Sequence, residues 1–255
     1  MKIATWNVNS LRVRLPHVMQ WLESEQPDLL ALQETKCTDD QFPTTDFLAA
    51  GYQSVYSGQK TYNGVAVLSK LSCTDCITDI TGLDDPQRRV LAVTYGDVRL
   101  IDLYVPNGES VDSPKYHYKL DWLGKVRAWL ADELRQHAKL VVVGDFNIAP
   151  HDIDVHDPAA WQGSVLFSEP ERTAFQHLLD LGLCDTFRRF EQPDKSFSWW
   201  DYRMNAFRRN LGLRIDHILA SRALCEVCTA CRVDKLPRGW ERPSDHAPVI
   251  AEFNV

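Results

Sequence analysis

An α/β layered domain is the fold class this sequence predicts, and three observations predict it. Nine short segments rich in Val, Ile and Leu, each bounded by turn residues, read as strands. Longer stretches with apolar residues at helical spacing fall between some of them. No Ser/Gly/Pro-rich tract, charge block or internal repeat interrupts the 255 residues, so residues 1–255 are expected to form a single domain. The irregular order of strands and helices argues against a simple barrel or a doubly wound sheet.

Taken in order, the first strand is expected over Lys2–Val8, which alternates from its first residues. A helix is expected over Leu15–Ser24. Strands follow at Leu29–Glu34, Gln53–Tyr56, Gly64–Ser69, Arg89–Thr94 and Arg99–Tyr104. From about Pro114 to His137, Tyr118, Trp122, Val126, Trp129 and Leu130 fall on one stripe, as in a helix packed on a sheet. The remaining elements are a strand at Leu140–Gly144, a helix at Pro170–Leu181, and strands at Arg214–Leu219 and Val249–Phe253.

The composition, 44% hydrophobic and 25% charged, is that of a soluble globular protein. A net charge of -7 rules out a basic tail as a device for binding nucleic acid. It does not rule out a local basic face, because salt limits the reach of a charge to roughly 8 Å. No stretch reads as a signal peptide or as the roughly 18 apolar residues of a membrane span, so a cytoplasmic location away from membranes is expected. The seven cysteines are then expected to be reduced. Cys73-x-x-Cys76 and Cys225-x-x-Cys228-x-x-Cys231 lack the flanking residues of zinc knuckles or ferredoxins, so buried thiols are the better reading than a metal site.

The polar residues carry the functional signal. Asn7 ends one expected strand in "TWNVNS", Glu34 another in "LLALQETK", and Asp145 and Asn147 a third in "VVVGDFN". Asp216 sits in "GLRIDHIL", and Asp245 and His246 open the last strand in "SDHAPVIAEF". One carboxylate after a strand is commonly a turn residue or a cap. Several that converge would repel unless protonated or bridged by a cation. Oxygen donors point to Mg²⁺ or Mn²⁺ rather than zinc, and magnesium pairs naturally with phosphate. The residues alone therefore suggest metal-assisted hydrolysis of a phosphate ester. Asp145 and Asn147, two apart, would project to the same side in extended geometry.

With "YNGVAVLSK", "QRRV", "YVPNGE", "GDFNIAP", "SWWDYR" and "SDHAPV" in the order and spacing seen here, the sequence resembles the exonuclease III family of bacterial and eukaryotic apurinic/apyrimidinic endonucleases. That family lies within the endonuclease/exonuclease/phosphatase superfamily, and the resemblance runs from residue 2 to about residue 253. It implies a four-layer sandwich, two mixed β-sheets packed face to face with helices on the outside. It implies Glu34 as the main metal ligand with Asn7 beside it, and Asp245 at the same or a second metal position. Asp145 would position or deprotonate the attacking water, or protonate the leaving group. Asn147 would donate to the phosphoryl oxygen, Tyr104 would contact the phosphate with Asn107 nearby, and Asp216 and His246 would face the scissile phosphate as a pair.

The same superfamily acts on inositol phosphates and lipids, so the substrate must be read elsewhere. "SWWDYRMNAFRRNLGLRIDHIL" interleaves aromatics with Arg203, Arg208, Arg209 and Arg214, a pattern suited to backbone phosphates and unpaired sugars or bases. The resemblance makes Trp199, Leu213 and Ile215 the pocket for a flipped-out abasic sugar. Arg12, Lys60, Arg88 and Lys115 are further candidates for phosphate contacts. The stretch Asp152–Glu169 departs most from the family's pattern and borders this face, which leaves the ratio of abasic-site to 3′-end cleavage open. The expected function is a Mg²⁺-dependent DNA repair nuclease acting as a monomer on abasic sites and 3′ ends of duplex DNA. Two other readings stand beside it: a phosphoesterase for inositol or lipid phosphates, and a catalytically inactive DNA-binding scaffold.

Overall fold

The computed structural model describes residues 1–80, 82–83 and 85–255. Alternating side chains on its strands create two six-stranded mixed sheets. The first contains β1 (Lys2–Asn7), β2 (Leu29–Gln33), β3 (Gln53–Ser57), β4 (Val65–Ser69), β11 (Cys228–Val233) and β12 (Val249–Phe253), in the order β11-β12-β1-β2-β4-β3. The second contains β5 (Thr74–Ile77), β6 (Val90–Tyr95), β7 (Val98–Tyr104), β8 (Leu140–Asp145), β9 (Leu183–Asp185) and β10 (Asp216–Ser221), in the order β5-β6-β7-β8-β10-β9. β1 runs parallel to β2 and β7 parallel to β8; the other pairs are antiparallel.

The period of two decides which residues meet. Ile3, Leu29, Ala31, Val65 and Val67 of the first sheet pack on Leu91, Leu100, Val141, Val143 and Ile218 of the second, forming the central core. The alternate residues Ala4, Trp6, Leu30 and Leu32 face outward against helix α1 (Leu11–Glu25) and the short helix α2 (Thr44–Ala49). On the other side, Ile101, Leu103, Val142 and Leu219 pack against α3 (Pro114–Gln136) and α5 (Glu169–Leu179). Two short helices, α4 (Pro158–Trp161) and α6 (Arg222–Glu226), complete the set. The result is the expected four-layer sandwich. No helix among the described residues is long and apolar enough to cross a membrane.

The departures from the sequence reading have physical causes. β5, β9 and β11 are missing from it, and they are three of the four edge strands; the fourth, β3, was expected. An edge strand needs no continuous apolar run, and β5 is almost wholly exposed. α1 begins at Leu11 rather than Leu15 and holds Pro16 inside. Its start is fixed by distant partners: the Ser10 and Leu11 amides donate to the Glu34 and Thr35 carbonyls at 2.8 and 3.0 Å. Cys184 on β9 and Cys225 on α6 form a disulfide, a correction to the expectation of seven reduced thiols. Cys228 and Cys231 are buried thiols, whereas Cys73 is half-buried and Cys76 exposed at the edge strand β5, a correction to the expectation of buried thiols in both segments.

Candidate active site

The site is the open mouth of the inter-sheet core. Val141 and Val143 of β8 point into that core, so Asp145 points the same way. The same parity brings Asn7 from β1, Tyr104 from β7 and Asp216 from β10 to one end. Register completes the convergence, since Asp145 lies opposite both Tyr104 and Asp216. Below the mouth the apolar core gives way to a polar seam. There Gln33 Nε2 donates to Thr5 Oγ1 at 2.8 Å and, across the sheets, to Asp102 Oδ1 at 2.7 Å. Burial pushes the Asp102 carboxyl well above its ordinary range, against the pull of Gln33.

Gly144 lets β8 lie this close to β7: its φ is +138°, and a Cβ there would sit 1.9 Å from the Leu103 carbonyl oxygen. β8 ends at Asp145, and Phe146 turns to the outer apolar layer. Asn147 is not extended. Its φ of +49° is left-handed, and its backbone amide donates to Asp145 Oδ1 at 2.9 Å, a tight turn closed by the aspartate side chain. The turn, not strand parity, brings Asn147 to the mouth.

Two carboxyl groups share one amide. Asn7 Nδ2 donates to Glu34 Oε1 at 2.8 Å and to Asp145 Oδ2 at 2.9 Å, while Asn7 Oδ1 accepts from the Asn9 amide at 2.9 Å. As placed, Asn7 bridges the two acids through its NH2 group, and its Oδ1 keeps one lone pair beyond the bond from Asn9. The Tyr104 hydroxyl donates to Glu34 Oε1 at 2.9 Å, and Lys36 Nζ lies 2.7 Å from Glu34 Oε2. Burial, with Glu34 and Asp145 alongside, pushes the Tyr104 phenol well above its ordinary range, so it remains a donor.

His246 and Asp145 are tuned as a pair. His246 Nδ1 is 2.9 Å from Asp216 Oδ2, and its Nε2 is 3.7 Å from Asp145 Oδ2. Burial favours the neutral ring, but Asp216 and then Asp145 outweigh it and push the imidazole up to about 10. Burial pushes Asp145 up to about 7, opposed by the imidazolium and reinforced by Asp216. Ser198 Oγ donates to Asp216 Oδ2 at 2.6 Å and holds that carboxyl in place.

Ligand atoms of Glu34, Asp145 and His246 lie within 4.8 Å of one another. By chemistry the set reduces to the two carboxyl groups, because a protonated imidazole has no lone pair to give. Oxygen donors of this kind fit a hard divalent cation. Asp245 stands outside the group. Its oxygens accept from Asn9 Nδ2 at 2.9 Å and Trp199 Nε1 at 3.1 Å, and its carboxyl stays below the ordinary range because His246, Asn9 and Trp199 outweigh burial.

The remaining sequence candidates fall in five places. Asn107 Nδ2 donates to Asn147 Oδ1 at 3.0 Å, so these amides meet beside Asp145. Asn147 Nδ2 already donates to the Val105 carbonyl at 3.0 Å. Trp199 bridges to both Leu213 and His246, but Leu213 and Ile215 are fully buried beneath Leu166 and Phe167. Among the described residues, Leu166 is the one aliphatic side chain in the left-handed region, at φ +74°. Arg203 is exposed and paired with Asp201 at 2.6 Å. Arg88 and Lys115 pair with Asp79 and Glu109. Arg12 and Lys60 join Lys36 on a groove of about 840 Å³. Arg214 is no phosphate contact: it is buried between Asp154 and Asp185, at 2.6 and 2.7 Å.

Lys36, Ser198 and Lys119 escaped the sequence reading. Lys36 lies inside "LQETK", and its position two residues after Glu34 was the available signal. Ser198 opens the "SWWDYR" motif, which was the available signal, while nothing in the sequence marks Lys119, whose role comes from chain segments brought together by the fold.

Known proteins share this sequence pattern and fold. The profile of the endonuclease/exonuclease/phosphatase family matches residues 4–246. Exodeoxyribonuclease III of Haemophilus influenzae is 36% identical over 99% of this chain and 100% of its own length. The structure of the 3′ phosphatase NExo from Neisseria bound to a product DNA hairpin is 50% identical, with a TM-score of 0.98 over 100% of both chains. That of an AP endonuclease from Archaeoglobus fulgidus is 39% identical, with a TM-score of 0.96 over 100% of both chains.

Proposed function

We propose, from the premise that this chain belongs to the endonuclease/exonuclease/phosphatase family, that it is a Mg²⁺- or Mn²⁺-dependent DNA repair nuclease. It hydrolyses phosphodiesters at abasic sites and at 3′ ends of duplex DNA. It works as a cytoplasmic monomer in which the whole chain is one catalytic domain. The Neisseria relative bound to product DNA and the Archaeoglobus AP endonuclease support DNA as the substrate. The groove lined by Arg12, Lys36 and Lys60 supports it independently, since it supplies cations beside the acids despite the net negative charge.

One observation carries the chemistry: Asp145 Oδ2 lies 3.7 Å from His246 Nε2, while the other nitrogen of that ring is held 2.9 Å from Asp216, and burial raises the Asp145 carboxyl toward neutral pH. A base tuned near neutral pH can take the proton of an attacking water and keep it aligned. His246 places a positive charge where negative charge grows on the phosphoryl oxygens. Asp216 and Ser198 fix the orientation of that ring. Asn107 Nδ2 keeps a second N–H beyond its bond to Asn147, and the Tyr104 hydroxyl would add a donor on leaving Glu34. Of the two carboxyl groups, Glu34 would hold the divalent cation, which would neutralise charge on a phosphoryl oxygen, while Asp145 is left to the water.

The test is incubation with duplex DNA carrying either an abasic analogue or a 3′-phosphate, and in parallel with an inositol phosphate, each with Mg²⁺ or with chelator. The expected result is cleavage of both DNA substrates with Mg²⁺ only. Intact DNA in every tube overturns the reading, and hydrolysis of the inositol phosphate alone moves the activity to another branch of the family.

A further inference from the structure

We infer that Lys119 is a positioning residue that locks the amide pair Asn107–Asn147 and the loop 164–168 into one unit. The inference rests on the functional reading above for what the amides do, and extends it to a residue that touches no reacting atom. Lys119 lies in the second turn of α3, and its side chain is 0% exposed. An ammonium has three protons to give. Lys119 Nζ donates to the Asn107 carbonyl at 3.1 Å, to the Asn147 carbonyl at 2.7 Å, and to Glu171 Oε1.

These bonds close a ring. Lys119 holds the backbone of Asn107 and Asn147, while their side chains hold each other at 3.0 Å. Each amide is thus fixed at both ends, which matters most for Asn147 in its left-handed conformation. Glu171, equally buried, spends its oxygens on the next segment: Oε1 accepts from the Leu166 amide at 3.0 Å and Oε2 from the Ser168 amide at 3.1 Å. Leu166 in turn packs in the cluster holding Leu213 and Ile215. A buried ion pair is weak evidence for stability, because apolar residues of similar volume often replace one without loss. Two fully buried charges whose acceptors are site-bearing loops are accounted for by position.

The test compares three full-length proteins: wild type, Lys119→Met, and the double variant Lys119→Met/Glu171→Leu. Lys119→Met strands a buried carboxylate and should lower the melting temperature. The double variant removes the stranded carboxylate but leaves the Leu166 and Ser168 amides without their acceptor, so it should recover only part of that loss. Its kcat on a 3′-phosphate duplex should nevertheless stay roughly 10- to 100-fold below wild type, with KM little changed. Selective ¹⁵N-asparagine labelling should show the Asn107 and Asn147 side-chain signals dispersed in wild type and averaged in both variants. A double variant with wild-type stability, kcat and amide signals overturns the inference. If the double variant does not fold, Lys119→Met measured well below its melting temperature decides in the same way. A wild type that leaves DNA uncut overturns the functional reading instead, and the amide signals still decide the positioning role.

Discussion

Acid should destabilise this protein through His217, and the amount can be worked out. The His217 ring is buried with both nitrogens engaged: Arg214 Nη1 donates to Nδ1 at 3.0 Å, and Nε2 donates to the Ile148 carbonyl at 2.9 Å. Those partners fit only the neutral ring, because a proton on Nδ1 would face the guanidinium. Burial and then Arg214 bring its pKa down to about 4 from an ordinary 6.5. The unfolded chain therefore binds a proton between these values and the folded chain does not, so stability falls as pH drops through that window. Going from pH 7.5 to pH 4.5, the single-site linkage relation gives a loss of roughly 2–3 kcal/mol. Asp145, pushed up to about 7, and Asp102, pushed well up, work in the opposite sense over the same range, because there the folded state binds their protons. The difference between two proteins therefore carries the prediction. His217→Gln can keep both hydrogen bonds without titrating. Urea melts of each protein at pH 7.5, 6, 5 and 4.5 should show the wild type losing roughly 2–3 kcal/mol more than the variant. Parallel curves would refute the buried neutral histidine.

Other perturbations give independent checks. The pH profile of kcat/KM should rise through about 7 as Asp145 loses its proton and fall toward about 10 as His246 loses its own; Asp216→Asn should move the alkaline limb down, and an unmoved limb would break the pairing. Leu166→Gly relieves a left-handed leucine worth about 1 kcal/mol but removes a buried side chain worth roughly 2–3 kcal/mol, so thermal stability should fall by about 1–2 kcal/mol. The same change makes room beside Leu213 and Ile215, and should raise cleavage at an abasic analogue relative to a 3′-phosphate; an unchanged ratio would show that Leu166 does not limit the pocket. Reducing Cys184–Cys225, 41 residues apart, should cost about 4 kcal/mol by the chain-entropy relation, read as a drop in melting temperature on adding dithiothreitol.

How much of this was legible depended on how local the cause was. Strands between two neighbours are buried on both faces and show as apolar runs, so β2, β4 and β8 could be read directly, and β1 from its alternation. β5, β9 and β11 each have only one neighbour, and their composition does not announce them. Glu34, Asp145, Asp216 and His246 were visible because a carboxyl group or imidazole where an apolar run ends is chemically conspicuous. Arg214 shows the opposite failure: set in a basic, aromatic segment it reads as a phosphate contact, whereas Asp154 and Asp185 come from 60 and 29 residues away to bury it. Lys119 was hidden in the same way, as one polar residue on a helix whose face turns inward only after α5 and two loops close over it. The turn at Asn147 was hidden because a left-handed asparagine leaves the same sequence as an extended one.

The central claim is that Asp145 does chemistry at a mouth that also binds DNA. It is tested most directly by Asp145→Asn, with single-turnover cleavage and binding of one labelled duplex carrying an abasic analogue measured in Mg²⁺. Asparagine keeps the shape but cannot take a proton from water, so cleavage should fall by about 10²–10⁴-fold while the dissociation constant for the duplex changes little. Cleavage at the wild-type rate, or loss of binding and cleavage together, would contradict the account.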